Sequence, residues 1–230
     1  MSLSEQKVTL ITGSSGQVGT ALARRLSGHS PLGLLDRTNE PPLGLDASAK
    51  VMALGVDILD ELAVRDAVER VHRQLGPVRT VVHTVGGYAD GANVGEQSLE
   101  TVRGMFELNF ISAVNVVKAA LPHVLSNDHG RIVLFASADA LHARAGASAY
   151  AASKAALLRF GEAIAEEVAS HGTCVRVLVP STIDTPRNRA SMPGADFKRW
   201  VTLDEVVSSI EFMLSPASSG VRFAVVPLGH

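Results

Sequence analysis

Short apolar segments alternate with longer segments of helical periodicity, and this alternation constrains the fold of the chain more than any other feature. The predicted strands cover residues 7–12, 32–36, 51–56, 80–84, 131–136, 175–179 and 223–226. The predicted helices cover residues 16–26, 61–75, 99–125, 148–170 and 203–214. Several strands are apolar throughout, which is typical of a parallel sheet with both faces covered. We therefore predict an α/β fold with a doubly wound parallel sheet of about seven strands and helices on both faces.

Two segments interrupt the alternation. Residues 37–50 contain Pro41, Pro42 and Gly44, so a loop with at most a single turn is predicted there instead of a helix. Residues 186–193 are polar and short, and they lie where a lid over a substrate could form. Neither segment is long enough to link two domains, so residues 1–230 are predicted to form a single domain.

Composition excludes several classes of protein. The net charge of −2 gives no electrostatic basis for binding nucleic acid or an anionic membrane. The single cysteine, Cys174, excludes an intramolecular disulfide and a cysteine-rich metal site, and no His, Asp or Glu cluster has metal-ligand spacing. No apolar run approaches the roughly 20 residues of a membrane span, and the start of the chain is too polar for a signal peptide. A cytoplasmic protein without a metal is therefore expected.

A glycine-rich turn follows the first predicted strand and opens the first predicted helix. Glycines at 13, 16 and 19 allow a tight turn, close approach of the backbone to a pyrophosphate, and close packing of the helix on the strand. The helix N-terminus would offer free N–H groups and a partial positive charge to phosphates. The residues predicted to bind a dinucleotide here are Gly13, Ser15, Gly16, Gln17, Val18 and Gly19.

The second and third predicted strands end in acidic residues. Asp36 lies twenty residues beyond Gly16, where a carboxylate can accept hydrogen bonds from ribose hydroxyls and repel a 2′-phosphate. This favours NAD(H) as the cofactor. Arg37 could instead pair with a phosphate, so NADP(H) stays open as the alternative. Asp57 is interpreted either as an adenine contact or as a turn or helix-capping residue.

Tyr150 and Lys154 lie four residues apart in a predicted helix, and Ser137 lies thirteen residues before Tyr150. An i, i+4 pair shares one helix face, so the phenol and the ammonium can point into the same cleft. A cation beside a phenol favours the phenolate, so we expect Lys154 to lower the pKa of Tyr150 and make it a proton donor or acceptor near neutrality.

Together these motifs resemble the short-chain dehydrogenase/reductase family along essentially the whole chain. His83-Thr84-Val85-Gly86 stands where that family usually has Asn-Asn-Ala-Gly, and Asn109 in E-L-N-F matches its catalytic asparagine. Ser137, Tyr150 and Lys154 match the remaining catalytic residues. The segment 180–185 resembles the family's Pro-Gly-x-Ile-x-Thr, which lines the nicotinamide. The resemblance implies a Rossmann-like NAD(P)-dependent oxidoreductase acting on a small-molecule substrate.

The resemblance also implies a role for each matching residue. Tyr150 would donate a proton, Lys154 would hold the nicotinamide ribose, Ser137 would hydrogen-bond a substrate oxygen, and Asn109 would support a water-linked proton relay. Ser137 could instead only cap a turn, and Asn109 could only accommodate a helix kink. Further cofactor contacts implied by the family are Val85, Gly86, Gly87, Tyr150, Lys154, Pro180, Ile183 and Thr185.

One branch of the family, the quinonoid dihydropteridine reductases, resembles the chain most closely at its ends. That branch has the same G-x-x-G-x-x-G turn and a Gly-Gly-aromatic-Ala-x-Gly segment similar to 86–91, and its substrate-side segment is similar to 182–200. Tyr88, Ser137 and Asn188 are the candidate substrate contacts. The branch typically lacks the serine and asparagine retained here as Ser137 and Asn109.

Three functions follow from these similarities. The first is an NADH-dependent reductase of a dihydropteridine-like substrate, and the second is a general carbonyl reductase or alcohol dehydrogenase of the same family. The third is a protein that senses a dinucleotide without turnover, which the Tyr150–Lys154 pair disfavours.

In related enzymes the helices equivalent to 99–125 and 148–170 pair across a two-fold axis. A homodimer or homotetramer is therefore expected, with small residues of the second helix (Ala155, Ala156, Leu158, Ala163 and Ala165) at the interface.

Overall fold

Seven parallel strands form the central sheet of the computed structural model, which describes residues 7–221 and 224–229. The strand order is β3-β2-β1-β4-β5-β6-β9. These strands are β1 Val8–Thr12, β2 Leu32–Asp36, β3 Val51–Gly55, β4 Val78–His83, β5 Arg131–Phe135, β6 Cys174–Pro180 and β9 Val225–Leu228. The predicted α/β class and parallel sheet are confirmed.

Helices cover both faces of the sheet. They are α1 Gln17–Leu26, α2 Glu61–Leu75, α3 Leu99–Phe106, α4 Ser112–Leu125, α5 Ser148–Glu167, α6 Pro186–Ser191 and α7 Leu203–Leu214. One apolar cluster packs α2, α4 and α5 against one face, and a second packs α1 and α7 against the other. Because both faces are buried, the strands can be apolar at successive positions.

Most predicted boundaries agree with the structure to within two residues. The last strand begins at Val225 instead of 223, and Phe223 lies outside the described residues. The helix predicted for 148–170 ends at Glu167 and is followed by a 3₁₀ turn, Ala169–His171. Residues 37–50 form an irregular loop, as predicted.

The sequence had suggested that the segment 186–193 is irregular, but most of it is helical. The Thr185 hydroxyl accepts a hydrogen bond from the Asn188 backbone N–H, and Pro186 occupies the first turn, so the short helix α6 begins here. Two short strands flank it, β7 Ile183–Asp184 and β8 Val201–Thr202, and they pair in parallel. Strands of two residues carry no periodicity, and the sequence analysis missed them.

The helix predicted for 99–125 is interrupted by a π-helical turn, Glu107–Ile111, between α3 and α4. Among the described residues, this helical run alone is long and apolar enough to cross a membrane by length and composition. The sequence expectation concerned uninterrupted apolar runs, and polar residues such as Glu107, Asn115 and Lys118 interrupt this one. The buried residues of α4, such as Val116 and Val124, belong to the core cluster against the sheet.

Parallel strands bring their carboxyl ends to one edge of the sheet. The turn after β1, Asp36 at the end of β2, Val85–Gly87 after β4, Ser137 after β5 and Pro180 at the end of β6 all lie along this edge. Residues separated by more than a hundred positions in sequence therefore meet in one cleft, as is usual for ligand sites in open α/β sheets.

Candidate active site

The glycine-rich turn is a tight cradle that side chains would fill. Gly13 has φ +74°, and a Cβ there would approach Thr84 Oγ1 to 2.9 Å. A Cβ at Gly19 would come within 2.2 Å of the Gly13 carbonyl oxygen, so α1 packs directly on the turn. Ser15, Gly16 and Gln17 are exposed, and Gly16 starts α1 without a side-chain cap. The first N–H groups of α1 therefore face the cleft edge, where an anion can bind them.

Asp36 lies directly beside this turn. Its carboxylate accepts hydrogen bonds from the Ser15 backbone N–H at 2.7 Å and from the Arg37 backbone N–H at 2.7 Å. Both contacts hold the carboxylate at the end of β2 next to the exposed start of α1. The negative charge therefore lies beside the exposed start of α1, and its contact with a ribose hydroxyl or a 2′-phosphate stays a prediction.

Asn109 lies in the π-helical turn and is fully buried. Its amide oxygen accepts from the Gly87 backbone N–H at 2.8 Å, while its amide nitrogen donates to the Gly87 carbonyl at 3.2 Å and to Ser153 Oγ at 3.0 Å. The side chain thus ties the loop after β4 to α5. This geometry gives Asn109 a positioning role at the helix kink, while a part in proton relay stays a prediction.

Gly86 is required by the groups that surround it. A Cβ at this position would lie 2.9 Å from both Asn109 Oδ1 and Lys154 Nζ. Any side chain would therefore displace the lysine or the asparagine. The absence of a side chain also leaves the backbone at 85–87 open to a ligand next to the lysine.

Hydrogen bonds of the buried His83 hold this part of the site in place. Ser112 Oγ donates its proton to the Leu108 carbonyl at 2.6 Å, so His83 Nε2 must donate to Ser112 Oγ at 3.2 Å. Burial together with the Lys154 charge lowers the pKa of His83 to about 3, so the imidazole is neutral near neutral pH. With its one proton on Nε2, Nδ1 accepts from Thr12 Oγ1 at 2.8 Å. The chain of hydrogen bonds joins β1, β4 and the π-helical turn.

Lys154 and Tyr150 point into the cleft from the first turns of α5. Lys154 is buried to 5% exposure, its Nζ donates to the Phe135 carbonyl at 2.7 Å, and burial lowers its pKa to about 8. Burial raises the pKa of Tyr150, and a hydrogen bond with the Ser137 side chain opposes this increase. The prediction that Lys154 lowers the pKa of Tyr150 was wrong, because the opposing contributions come from Ser137 and Arg144.

Ser137 stands at the carboxyl end of β5 beside Tyr150. Its Oγ accepts from the Asp139 backbone N–H at 3.2 Å and caps the 3₁₀ turn Ala138–Ala140. Because the oxygen accepts from the turn, the hydroxyl proton is free to be donated to Tyr150 or to a substrate oxygen. Capping and substrate binding, which the sequence analysis treated as alternatives, are compatible at this residue.

Tyr88 covers Tyr150 from the loop between β4 and α3. The two rings meet edge to face with centroids 4.8 Å apart. Tyr88 is 46% exposed, and its hydroxyl donates to Asp90 at 2.5 Å and accepts from Arg144 Nη2 at 3.2 Å. Its ring can therefore still contact a ligand that approaches Tyr150.

The end of β6 and the segment after it contain four predicted site residues, and two of them, Thr185 and Asn188, use their polar groups within the segment itself. Pro180 ends β6, Ile183 lies in β7, and the buried Thr185 caps α6. The Asn188 amide donates to the Ile183 carbonyl at 2.8 Å, so its polar group is engaged within its own segment. The role of Asn188 as a substrate contact stays a prediction that this geometry does not favour.

Asp57 and its surroundings mark the far end of the cleft. The Asp57 carboxylate accepts from the Leu59 backbone N–H at 3.0 Å in the turn before α2. The helix itself is capped by Asp60. The sequence analysis missed Asn115, whose amide donates to the Ile58 and Leu59 carbonyls and fixes this turn from α4. No motif marked Asn115, since its contact depends on how α4 packs beside α2.

These residues fit a dinucleotide. The cradle at Gly13 and Gly19, the exposed N–H groups of α1, and the open backbone at Gly86 beside buried Lys154 form one continuous edge. Within the described ranges, no three His, Cys, Asp or Glu side chains form a group that could hold a metal ion. A cavity of about 340 Å³ beside Arg176 and Met213 lies toward the amino ends of the strands and is separate from this edge.

The chain is similar in sequence and in fold to known proteins. The sequence model of the short chain dehydrogenase family matches residues 7–195. The 3-oxoacyl-[acyl-carrier-protein] reductase FabG of Escherichia coli K12 is 29% identical over 189 residues, covering 81% of this chain and 77% of that protein. SadH of Mycobacterium tuberculosis H37Rv is 33% identical over 206 residues, covering 85% and 74%. An NAD⁺-bound xylitol dehydrogenase has a TM-score of 0.86 at 23% identity, with 97% of each chain covered.

Proposed function

Because this chain belongs to the short-chain dehydrogenase family and is an NAD(P)-dependent oxidoreductase, we propose that it reduces a carbonyl compound with NADH. The observation that carries the proposal is that Ser137 follows β5 at the carboxyl edge of the sheet, where Lys154, four residues after Tyr150 in α5, donates to the Phe135 carbonyl. Bound NADH supplies the hydride in such a reduction. Residues 13–19, Asp36, 85–87, Lys154, Pro180, Ile183 and Thr185 would hold it.

The chain's own residues supply the proton and orient the substrate. The phenol of Tyr150 donates its proton to the substrate oxygen that gains negative charge, and the free Ser137 hydroxyl proton stabilises that oxygen. The raised pKa of Tyr150 keeps the phenol protonated at neutral pH, which suits a proton donor.

We rank the two substrate classes in the opposite order to the one expected from the sequence. A simple ketone needs its oxygen polarised, and the Ser137 hydroxyl next to Tyr150 supports this proposal. The dihydropteridine-like substrate stays as the second candidate because Tyr88 offers a half-exposed ring next to Tyr150, on which a planar ligand could stack. A dinucleotide sensor without turnover is disfavoured by the same assembled residues.

NADH oxidation with a panel of ketones and aldehydes, beside quinonoid dihydropterin, tests the proposal. We expect Ser137→Ala to lower kcat/KM for ketones by about 10²-fold, the loss typical of one removed oxyanion donor. The loss with the pterin should be milder, because a quinonoid pterin is already activated toward reduction. Turnover confined to the pterin would reject the carbonyl assignment. An equal loss with both substrates would contradict the special role of Ser137 in ketone reduction.

Further properties complete the proposal. Residues 1–230 act as one NAD(P)-binding domain, in the cytoplasm, as a homodimer or homotetramer. NADH is preferred over NADPH because the Asp36 carboxylate, held by the Ser15 N–H, would repel a 2′-phosphate.

A further inference from the structure

An ion pair lies over the proposed catalytic residues. Arg144 donates from Nε to Asp139 Oδ1 and from Nη2 to Asp139 Oδ2, both at 2.8 Å. Asp139 is buried to 9% exposure, two residues after Ser137. The bidentate geometry is the strong form of a carboxylate–guanidinium contact.

The same pair joins the two loops that flank the cleft. Arg144 lies in the loop between β5 and α5, and its Nη2 also donates to the hydroxyl of Tyr88 in the loop between β4 and α3. The backbones of the loops meet at Gly146, where a Cβ would lie 3.3 Å from the Gly91 nitrogen. Asp139 also donates its N–H to Ser137 Oγ. The ion pair thus contacts the neighbours of Tyr150 on two sides.

We propose that Asp139 and Arg144 are positioning residues of this site, which balance the charge beside the Tyr150 phenol and hold Tyr88 against it. The proposal rests on the proposed function in treating Tyr150 as the proton donor.

The charges around Tyr150 give the pair a specific effect. Asp139 and Arg144 face it from one loop, Tyr88 with Asp90 from the other, and Lys154 from its own helix. Asp139 raises the pKa of Tyr150 and Arg144 lowers it. Removing Arg144 leaves the buried carboxylate unbalanced, whereas removing the Asp139 charge leaves the guanidinium unbalanced. The two changes must therefore shift the titration of Tyr150 in opposite directions.

The chain has only two tyrosines, so ¹³C NMR of protein labelled at the tyrosine ζ carbon gives two signals. Tyr88→Phe assigns them. In the free protein we expect the Tyr150 signal to titrate at lower pH in Asp139→Asn than in wild type, by about 1 pH unit, and at higher pH in Arg144→Gln. The double variant should return toward wild type. Arg144→Lys keeps the charge without the bidentate contact and should stay near the wild-type curve.

Arg73→Gln is the matched control, since Arg73 forms an exposed pair with Glu69 on α2, and it should leave the Tyr150 titration unchanged. An Asp139→Asn curve that coincides with wild type, or lies at higher pH, would overturn the proposal. The same order should hold for the pH profile of kcat/KM with a ketone. If wild type reduces no carbonyl compound, the proposed function fails, but the NMR titration still decides the role of the ion pair.

Discussion

At the scale of single residues, the site depends on where a few polar groups find partners. The Asp36 carboxylate is fixed by two backbone N–H groups beside the start of α1. Lys154 is buried against a carbonyl, and Ser137 accepts from its own turn so that its proton is free. Each arrangement leaves one group available at the cleft edge.

Cofactor preference follows from Asp36. We expect a higher kcat/KM with NADH than with NADPH, because the carboxylate repels a 2′-phosphate. Asp36→Ala should reduce this difference by lowering kcat/KM with NADH and raising kcat/KM with NADPH. Asp46→Ala, which removes an exposed carboxylate from the loop 37–50, serves as the control. A wild-type enzyme that prefers NADPH would show that Arg37 outweighs Asp36.

The sequence predicted the residues that belong to local motifs. Gly13, Gly19 and Asp36 lie where the strand–turn–helix pattern put them, since neighbours in sequence fix their geometry. Arg144 and Asn115 were missed because their partners are set by tertiary packing of loops and helices. The prediction that Lys154 lowers the pKa of Tyr150 was wrong because spacing on a helix does not reveal how deeply each group is buried.

At the scale of elements, the π-helical turn Glu107–Ile111 is what places Asn109 in the site. The hydrogen-bonded chain from Thr12 through His83 and Ser112 to the Leu108 carbonyl supports this turn from the ends of β1 and β4. Helical periodicity predicted one continuous helix because a single π turn changes the repeat too little to be visible in sequence.

The buried His83 makes stability depend on pH. Its pKa in the folded state is about 3, below the 6.5 that is usual for histidine, so below pH 6.5 the unfolded chain binds a proton that the folded chain does not. This contribution to stability is full above pH 6.5 and is lost as pH falls toward 3. The slope is at most about 1.4 kcal/mol per pH unit.

Urea unfolding between neutral and mildly acidic pH checks this expectation. His83→Asn should flatten the decrease in unfolding free energy below pH 6.5. His29→Asn, at an exposed position, should keep the wild-type slope. A slope that stays the same in His83→Asn would show that the imidazole is protonated in the folded protein.

At the scale of the whole molecule, the sheet and its two helical layers create one edge where the site forms. The sequence predicted a parallel sheet of about seven strands from the apolar segments. It did not predict the strand order, since long-range pairing is absent from periodicity. The outer surface of α5 exposes Ala152 and Ala163, whereas Leu158 is buried at 2% exposure. Leu158 therefore cannot belong to the expected interface.

We expect a homodimer in which α5 packs against its symmetry mate. Light scattering should give at least twice the 24.2 kDa of one chain at micromolar concentration. Ala163→Arg should lower the mass toward the monomer, because a guanidinium cannot be accommodated between closely packed helices. Ala47→Arg, in an exposed loop, should leave the mass unchanged. A monomer mass for wild type would refute the dimer.

The most direct test of the account is steady-state NADH oxidation by wild type and Tyr150→Phe on one ketone, together with NADH binding by each protein. Removing a positioned proton donor should lower kcat by about 10²-fold or more. NADH binding should be retained, because Lys154 and the glycine-rich turn stay in place. Undiminished turnover in Tyr150→Phe would contradict the assignment of Tyr150 as the proton donor.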